Sequence, residues 1–464
     1  MSKRLLSMVS AMVWVAGCSM TPVYERPAAP VPEAWPALQA ATALGDSGRA
    51  PTLREWREYF PDPRLQALIA AALEHNRDLR IALARVEEAR AQAGIARAER
   101  FPQIDLAAQR SASLTPADLS ATNRQLNAQR YDVNLGISAF ELDFWGRVKS
   151  LDEAARANFL ASEYAQQSFR LALVADVASA YFSAIELQER VALAAATLAS
   201  RAESRRLIAA RRDVGLAGDL DVLTAEAAMQ TTRAELANLT RQSAAAENAL
   251  RLLVGSSPAL PSGRMLEQQD LLAQVPVGLP AEVLLRRPDV LAAEQRLLAA
   301  NANVGAARAA FLPRILLTAA LGTASRSLSG LFDSGSGAWS FFPVLRYPLF
   351  DGGRSAGSSD IAEARKTVAV ADYEKTLQQG FREIADLLAA REHYAEQLAA
   401  QDAATKAQGE RQRIVEARHN AGLSSYLELL DAQRDYFSAQ QSALAIRRLQ
   451  LATTASLYKA LALY

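Results

Sequence analysis

Two stretches of this chain, 117–257 and 349–464, contain no proline, and within 147–254 the only glycines are Gly215 and Gly218. Proline and glycine punctuate globular chains, where loops recur every few residues to every dozen or so. Their absence leaves helix as the regular structure that can run on so far. A continuous helix from Gly146 to Val214 would measure roughly 100 Å at ~1.5 Å rise per residue. Leu430, Phe437, Leu444, Leu451 and Tyr458 recur every seven residues, the period of a coiled coil rather than of a straight helix. Hydrophobic residues reach 50% while aromatics are only 7%. Alanine supplies much of the difference, so neighbouring helices can approach closely.

Composition excludes several classes of chemistry. Lysine plus arginine is 51 and aspartate plus glutamate 50, a balance that leaves no basic footprint for nucleic acid. With three histidines and the single cysteine Cys18, neither an internal disulfide nor a zinc site has material to be built from. No phosphate-cradling glycine loop, nucleophile elbow or paired carboxylates occur in a suitable setting. His75 and His393 read as polar helix residues. The chain is expected to be neither an enzyme nor a holder of metal or cofactor.

The start of the chain is an address. Lys3 and Arg4 precede a mostly apolar run from Leu5 to Ala16, too short to span a bilayer and suited to a secretory signal. It ends Val15-Ala16-Gly17-Cys18, which resembles a bacterial lipobox, with Cys18 as the lipidated residue and 1–17 as the removed signal. Ser19 follows in place of the aspartate of an inner-membrane retention signal, which directs the protein to the outer membrane. Residues 18–63, rich in proline, read as an extended tether.

The remainder repeats once. Pro102 and Ile104 match Pro313 and Ile315 at a spacing of 211, and Gly146-Arg147, Ala210-Arg211 and Gly215-Leu216 match Gly353-Arg354, Ala417-Arg418 and Gly422-Leu423 at 207. The repeats occupy 64–257 and 281–464, with a linker at 258–280. Each runs helix, β segment, polar loop, β segment, very long helix, glycine turn, long helix, so that Gly215 and Gly422 mark helix-tip turns. The β segments, near 102–112, 130–143, 313–324 and 338–350, alternate at period two. Tyr131, Val133, Leu135 and Ile137 share one face, and Trp339, Phe341, Leu345 and Tyr347 another. Such segments of about ten residues suit a membrane barrel, with Phe140, Phe144, Trp145, Tyr347 and Phe350 placed for an aromatic girdle. Four strands cannot close a barrel, and an open edge in lipid leaves backbone groups unsatisfied. The strands must be shared among copies: two chains would give eight, three would give twelve.

These residues carry a resemblance. The lipobox with Pro22-Val23-Tyr24, Arg286-Arg287-Pro288-Asp289-Val290, Ala306-Ala307-Arg308-Ala309-Ala310-Phe311-Leu312-Pro313 and Leu429-Leu430-Asp431-Ala432-Gln433-Arg434 together resemble the NodT/OprM branch of the TolC-like outer membrane factors. The resemblance implies a mixed α and β membrane protein. Its homotrimer would form a twelve-stranded outer-membrane barrel continued by a long periplasmic helical barrel. It implies a passive exit duct for small toxic compounds such as antibiotics, lipid-anchored in the outer membrane. The partners implied are a periplasmic adaptor and an inner-membrane transporter of the RND type. Leu427, Asp431 and Arg434 match the family's periplasmic constriction, and His419 stands where relatives commonly have a tyrosine. Spacing alone makes Asp431 and Arg434 an ordinary exposed pair one helical turn apart. A structural or adhesive coiled-coil lipoprotein is the alternative, although it would not need a duplicated strand pair. Replacing the lipidated residue, Cys18→Ser, should abolish metabolic palmitate labelling while sparing the strands; labelling that persists would remove the lipobox assignment.

Overall fold

The computed structural model describes residues 19–32, 35, 56–258, 260–269, 271 and 281–461. The signal segment and Cys18 lie outside them. After a single helical turn at Trp56–Tyr59, the helices are α1 (Pro63–His75), α2 (Arg77–Ala98), α3 (Arg147–Asp213), α4 (Asp219–Val254), α5 (Pro288–Ala309), α6 (Arg354–Asn420) and α7 (Tyr426–Ala460). The strands are β1 (Ile104–Thr115), β2 (Leu126–Leu142), β3 (Arg314–Ser325) and β4 (Gly337–Arg346). From α2 and from α5 onward, each half thus runs helix, two strands, two helices. The matched lengths are close: 22 residues in α2 and α5, 67 in α3 and α6, 36 in α4 and 35 in α7.

The chain divides into two compact units, and each draws on both halves of the sequence. The first contains 19–28, 85–163 and 292–374, the second 29–84, 164–291 and 375–461, counting described residues.

The first unit holds one antiparallel sheet in the order β1-β2-β3-β4. Its outer strands, β1 and β4, each have one edge with no strand partner among the described residues. Strand ends depart modestly from the sequence expectation. Leu126 opens β2 well before 130, and β4 stops at Arg346, so Tyr347 lies past the strand whose apolar face it was expected to share. Simple alternation also fails once, between Ile137 and Phe140, where the β2–β3 register shifts. Ala139 takes a left-handed φ of 53° there, and its N–H donates to Thr318 Oγ1 at 3.2 Å. This one-residue bulge lets Phe140 and Leu142 pair with Leu317 and Ile315, on the face already occupied by Ile137 and Leu135. It moves Glu141 to the other face, where the Arg147 guanidinium donates to both carboxylate oxygens at 2.8 and 2.7 Å. Trp145 Nε1 donates to Pro313 O at 2.7 Å near the strand ends.

The proline-rich lead packs on this unit as an extended strap. Thr21 Oγ1 and Ser150 Oγ lie 2.9 Å apart, and Asn301 Nδ2 donates to Pro22 O at 2.8 Å. The buried Glu294 carboxylate accepts from Arg26 Nε and Nη2 at 2.8 and 2.9 Å and from Tyr24 OH at 3.1 Å. Burial, reinforced by the Glu294 charge, pushes the Tyr24 phenol up to about 12. Gly305 is required beneath the strap, since a Cβ there would fall 2.6 Å from Thr21 Cα. Alanine sets the helix spacing nearby: Ala154 and Ala157 of α3 meet Ala299 and Ala302 of α5.

The second unit is helical and is held by buried polar anchors set in an apolar core. Trp35 is fully buried, stacks on Phe381 with centroids 5.4 Å apart, and donates Nε1–H to Phe381 O at 3.2 Å. Buried Asp62 caps α1 through Arg64 N and accepts from Tyr181 OH and Gln269 Nε2, both at 2.7 Å. The expected heptad of α7 has Leu430, Leu451 and Tyr458 buried, with Phe437 and Leu444 half-buried. Arg287, just before Pro288 opens α5, is itself buried. Its guanidinium donates to Asp289 at 3.0 and 2.7 Å, to Glu383 at 2.8 Å, and to Ala460 O at 2.8 Å, a carbonyl that the end of α7 leaves free. Lys459 Nζ reaches the other Glu383 oxygen at 3.0 Å. Burial raises the Glu383 pKa, but Arg287 and Lys459 together outweigh it and hold the carboxyl below its ordinary value. This stabilisation is complete above the usual carboxylate range and is lost as pH falls through the depressed value. Arg287→Met should cost about 2–4 kcal/mol near neutral pH, measured by denaturant unfolding. The gap between parent and variant should narrow below about pH 4, and a gap constant with pH would contradict the charge argument.

Candidate channel tip

The two glycine turns, which lie at corresponding places in the halves, have one geometry. After α3, Leu216 N bonds Arg211 O at 2.8 Å and Gly215 N bonds Arg212 O at 2.9 Å; after α6, Leu423 N bonds Arg418 O and Gly422 N bonds His419 O, both at 2.9 Å. These paired six-to-one and five-to-two bonds form a Schellman cap, whose turning residue must sit at positive φ. Gly215 and Gly422 have φ of 76° and 75°, where only glycine is unstrained. The next helices are capped at once: Asp221 accepts from Gly218 N at 3.1 Å, and Ser425 Oγ accepts from Glu428 N at 3.2 Å. Ser424 Oγ also bonds the Glu428 carboxylate. Both helix pairs therefore reverse within a few residues and without flexible loops.

Around the second turn, His419 is half-buried and its Nδ1 lies 3.0 Å from Ser424 O. Because a carbonyl can only accept, Nδ1 carries the proton. The ring lies 6.0 Å from that of Tyr426, which packs on the buried cluster Val415, Leu429 and Ala432. Burial raises the Tyr426 pKa and lowers that of Arg201, whose charge acts on Tyr426. Among the described residues the Tyr426 hydroxyl and Arg201 Nε are buried without a hydrogen-bond partner, although Arg201 Nη1 donates to Ala228 O at 3.0 Å and to Thr232 Oγ1.

Leu427 lies in the first turn of α7 and is 62% exposed. Asp431 and Arg434 come together as the spacing indicated, with Arg434 Nη1 3.2 Å from Asp431 Oδ1. Arg434 is shared, however: its Nε and Nη2 also donate to Asp435 Oδ1 at 3.3 and 3.1 Å. Asp435 in turn accepts from Arg411 of α6 at 2.7 Å. These two arginines hold the Asp435 carboxyl below its ordinary value. The sequence reading missed Asp435 and Arg411, which tie α6 to α7, and Tyr426. The period of four from Asp431 to Asp435 was the available signal. Among the described residues no cluster of histidine, cysteine, aspartate or glutamate could hold a metal ion.

With sheet, strap and paired helix tips in place, the comparisons with known proteins converge. The family model described as outer membrane efflux protein matches residues 68–256 and 279–463. The chain belongs to the outer membrane efflux protein family. The toluene efflux pump outer membrane protein TtgI of Pseudomonas putida is 45% identical over 454 residues, covering 97% of this chain and 96% of that protein. Outer membrane protein OprJ of Pseudomonas aeruginosa is 45% identical over 426 residues, covering 91% and 88%. Among solved structures, the open state of the MtrE outer membrane channel of Neisseria gonorrhoeae superposes with a TM-score of 0.85 at 36% identity, over 96% of this chain and 98% of that one. A membrane protein from Pseudomonas aeruginosa gives 0.88 at 42% identity, over 96% and 100%. This family member is thus an outer-membrane efflux channel, a mixed α and β membrane protein whose strands belong to a β-barrel and whose long helices extend into the periplasm.

Because the Tyr426 hydroxyl is buried and unpartnered, Tyr426→Phe should leave the unfolding midpoint unchanged or slightly higher. Tyr426→Ala should cost roughly 2–3 kcal/mol through lost packing. A loss above about 1 kcal/mol in the phenylalanine variant would mean that the hydroxyl bonds another copy in the assembly.

Proposed function

We propose that three copies of this chain close a twelve-stranded barrel and act as the passive exit duct of a tripartite pump. The observation that carries this reading is the four-stranded sheet with both edges open, in a family of outer-membrane channels. The two repeats, 64–257 and 281–464, each contribute one strand pair and one long-helix pair, and a lipid on Cys18 adds an anchor. A periplasmic adaptor and an RND transporter deliver cargo to the helix tips. The cargo class is small toxic organic compounds, supported by a relative named for toluene efflux. The chain performs no catalysis and needs no cofactor.

At the tip, copies of Leu427 and Asp431 face one another across the pore axis, and His419 and Tyr426 brace the turn behind them. A ring of apolar side chains excludes water, and a ring of carboxylates favours cations. Convergence of like charges is unfavourable, and Arg434, shared between Asp431 and Asp435, offsets it. Planar-bilayer conductance tests the reading. Asp431→Ala with Arg434→Ala should raise conductance and sensitise cells to large antibiotics without lowering abundance, because the Arg411–Asp435 pair still ties α6 to α7. Asp431→Ala alone should weaken cation preference. A double variant that assembles and conducts like the parent would place the constriction elsewhere.

A further inference from the structure

The register of the sheet leaves one cation on the wrong side of an apolar surface. One face of β2 presents Leu142, Phe140, Ile137, Leu135, Val133 and Tyr131 in order, then turns polar at Gln129 and Asn127. At ~3.4 Å rise per residue and a tilt near 40°, the apolar run covers roughly 25–30 Å, the height of an outer-membrane barrel's lipid-facing band. Tyr131 marks its far limit, away from the end where Gly146 leads into α3.

Arg110 of β1 pairs with Tyr131 and lies on this same face, its guanidinium carbon 5.6 Å from the Tyr131 ring centroid. The neighbouring Arg130 shows the contrast. It projects to the opposite face and is held by Asp132, with Nε bonds of 2.8 and 2.9 Å. Among the described residues Arg110 makes no ion pair. Its face of β2 carries no acid, and neither does β4 (Gly337–Arg346), the strand that would meet the free edge of β1 in a ring of copies. A lipid-facing arginine without a counter-charge is unfavourable in hydrocarbon and settles at the interface. There it meets lipid headgroups, and guanidinium matches phosphate geometry through paired N–H donors.

We propose that Arg110, seated against Tyr131, is a binding site for the phosphate of a phosphorylated glycolipid in the outer leaflet. The inference rests on the barrel reading above, since that reading sets which face meets lipid.

The test uses the assembled full-length protein, reconstituted with phosphorylated lipid A or with its dephosphorylated form, then washed in detergent. Native mass spectrometry counts the retained lipid. The parent should retain the phosphorylated form preferentially, and Arg110→Gln should retain roughly tenfold less of it, with the dephosphorylated form unaffected. Arg130→Gln, altered on the opposite face, should retain it as the parent does. The proposal is overturned if Arg110→Gln retains as much as the parent, if Arg130→Gln loses as much, or if the parent ignores the phosphate. Complete displacement by millimolar inorganic phosphate would also overturn it, making the site one for a free anion. The subunit count in the same spectra separates the two readings: closed oligomers with unchanged lipid retention dispose of the phosphate site alone, whereas a parent found only as a monomer disposes of the barrel.

Discussion

Along one side of Ile104–Thr115 and of Gly337–Arg346, backbone N–H and C=O groups have no partner within the described chain. In hydrocarbon each such group costs several kcal/mol, so a four-stranded sheet cannot sit in a membrane by itself. It has to find copies. The same solvent dictates which side chains point outward, and here the bulge at Ala139 matters. Without the extra residue, strict alternation would carry Glu141 onto the face of Leu135 and Ile137 and turn Phe140 and Leu142 away from it. With it, the apolar face continues to the end of β2, and Glu141 is met by Arg147 at the start of α3.

A wall made of helices from several copies imposes a second condition, that the helices in each half be matched. Equal lengths of 67 residues in α3 and α6, and 36 and 35 in α4 and α7, meet it. The two tips are capped by the same Schellman bonds on glycines with nearly the same φ. A looser turn would let each hairpin end at its own height. Alanine meeting alanine between α3 and α5 serves the same end, since small side chains fix a short spacing that longer ones would blur.

Much of this could be read in the residues, and the reasons differ by feature. The long helices were legible because proline is absent over 117–257 and 349–464, the first turn because Gly215 and Gly218 alone interrupt a glycine-free run, and the second because Gly422 repeats Gly215 at a spacing of 207. The strand faces were legible from period-two alternation as far as Ile137. Past it they were not, because a bulge alters the backbone without any residue type that requires it; Ala139 is an ordinary residue in an unusual conformation. The strap contacts could not be read either. Arg26 and Glu294 are separated by 268 positions, and nothing local in either segment names the other. At the tip, spacing supplied the contact of Asp431 with Arg434, but not the competition of Asp435 for the same guanidinium, which depends on rotamers and on Arg411 from another helix.

Strong and weak contacts are distributed unevenly along the chain. Arg287, Glu186, Asp62 and Trp35, all in the second unit, are buried and fully engaged, Glu186 by Arg190 and Arg448. Removing one partner from such a group strands a polar or charged atom in the interior, which is costly. The Asp431–Arg434 pair is exposed, with side-chain accessibilities of 42% and 67%, and pairs of that kind contribute little. Rearranging the tip therefore exchanges weak surface pairs for water, while the buried anchors and the Schellman caps stay intact. Under the proposed constriction, a change at the tip would then shift capped helices and leave the buried anchors of the second unit in place.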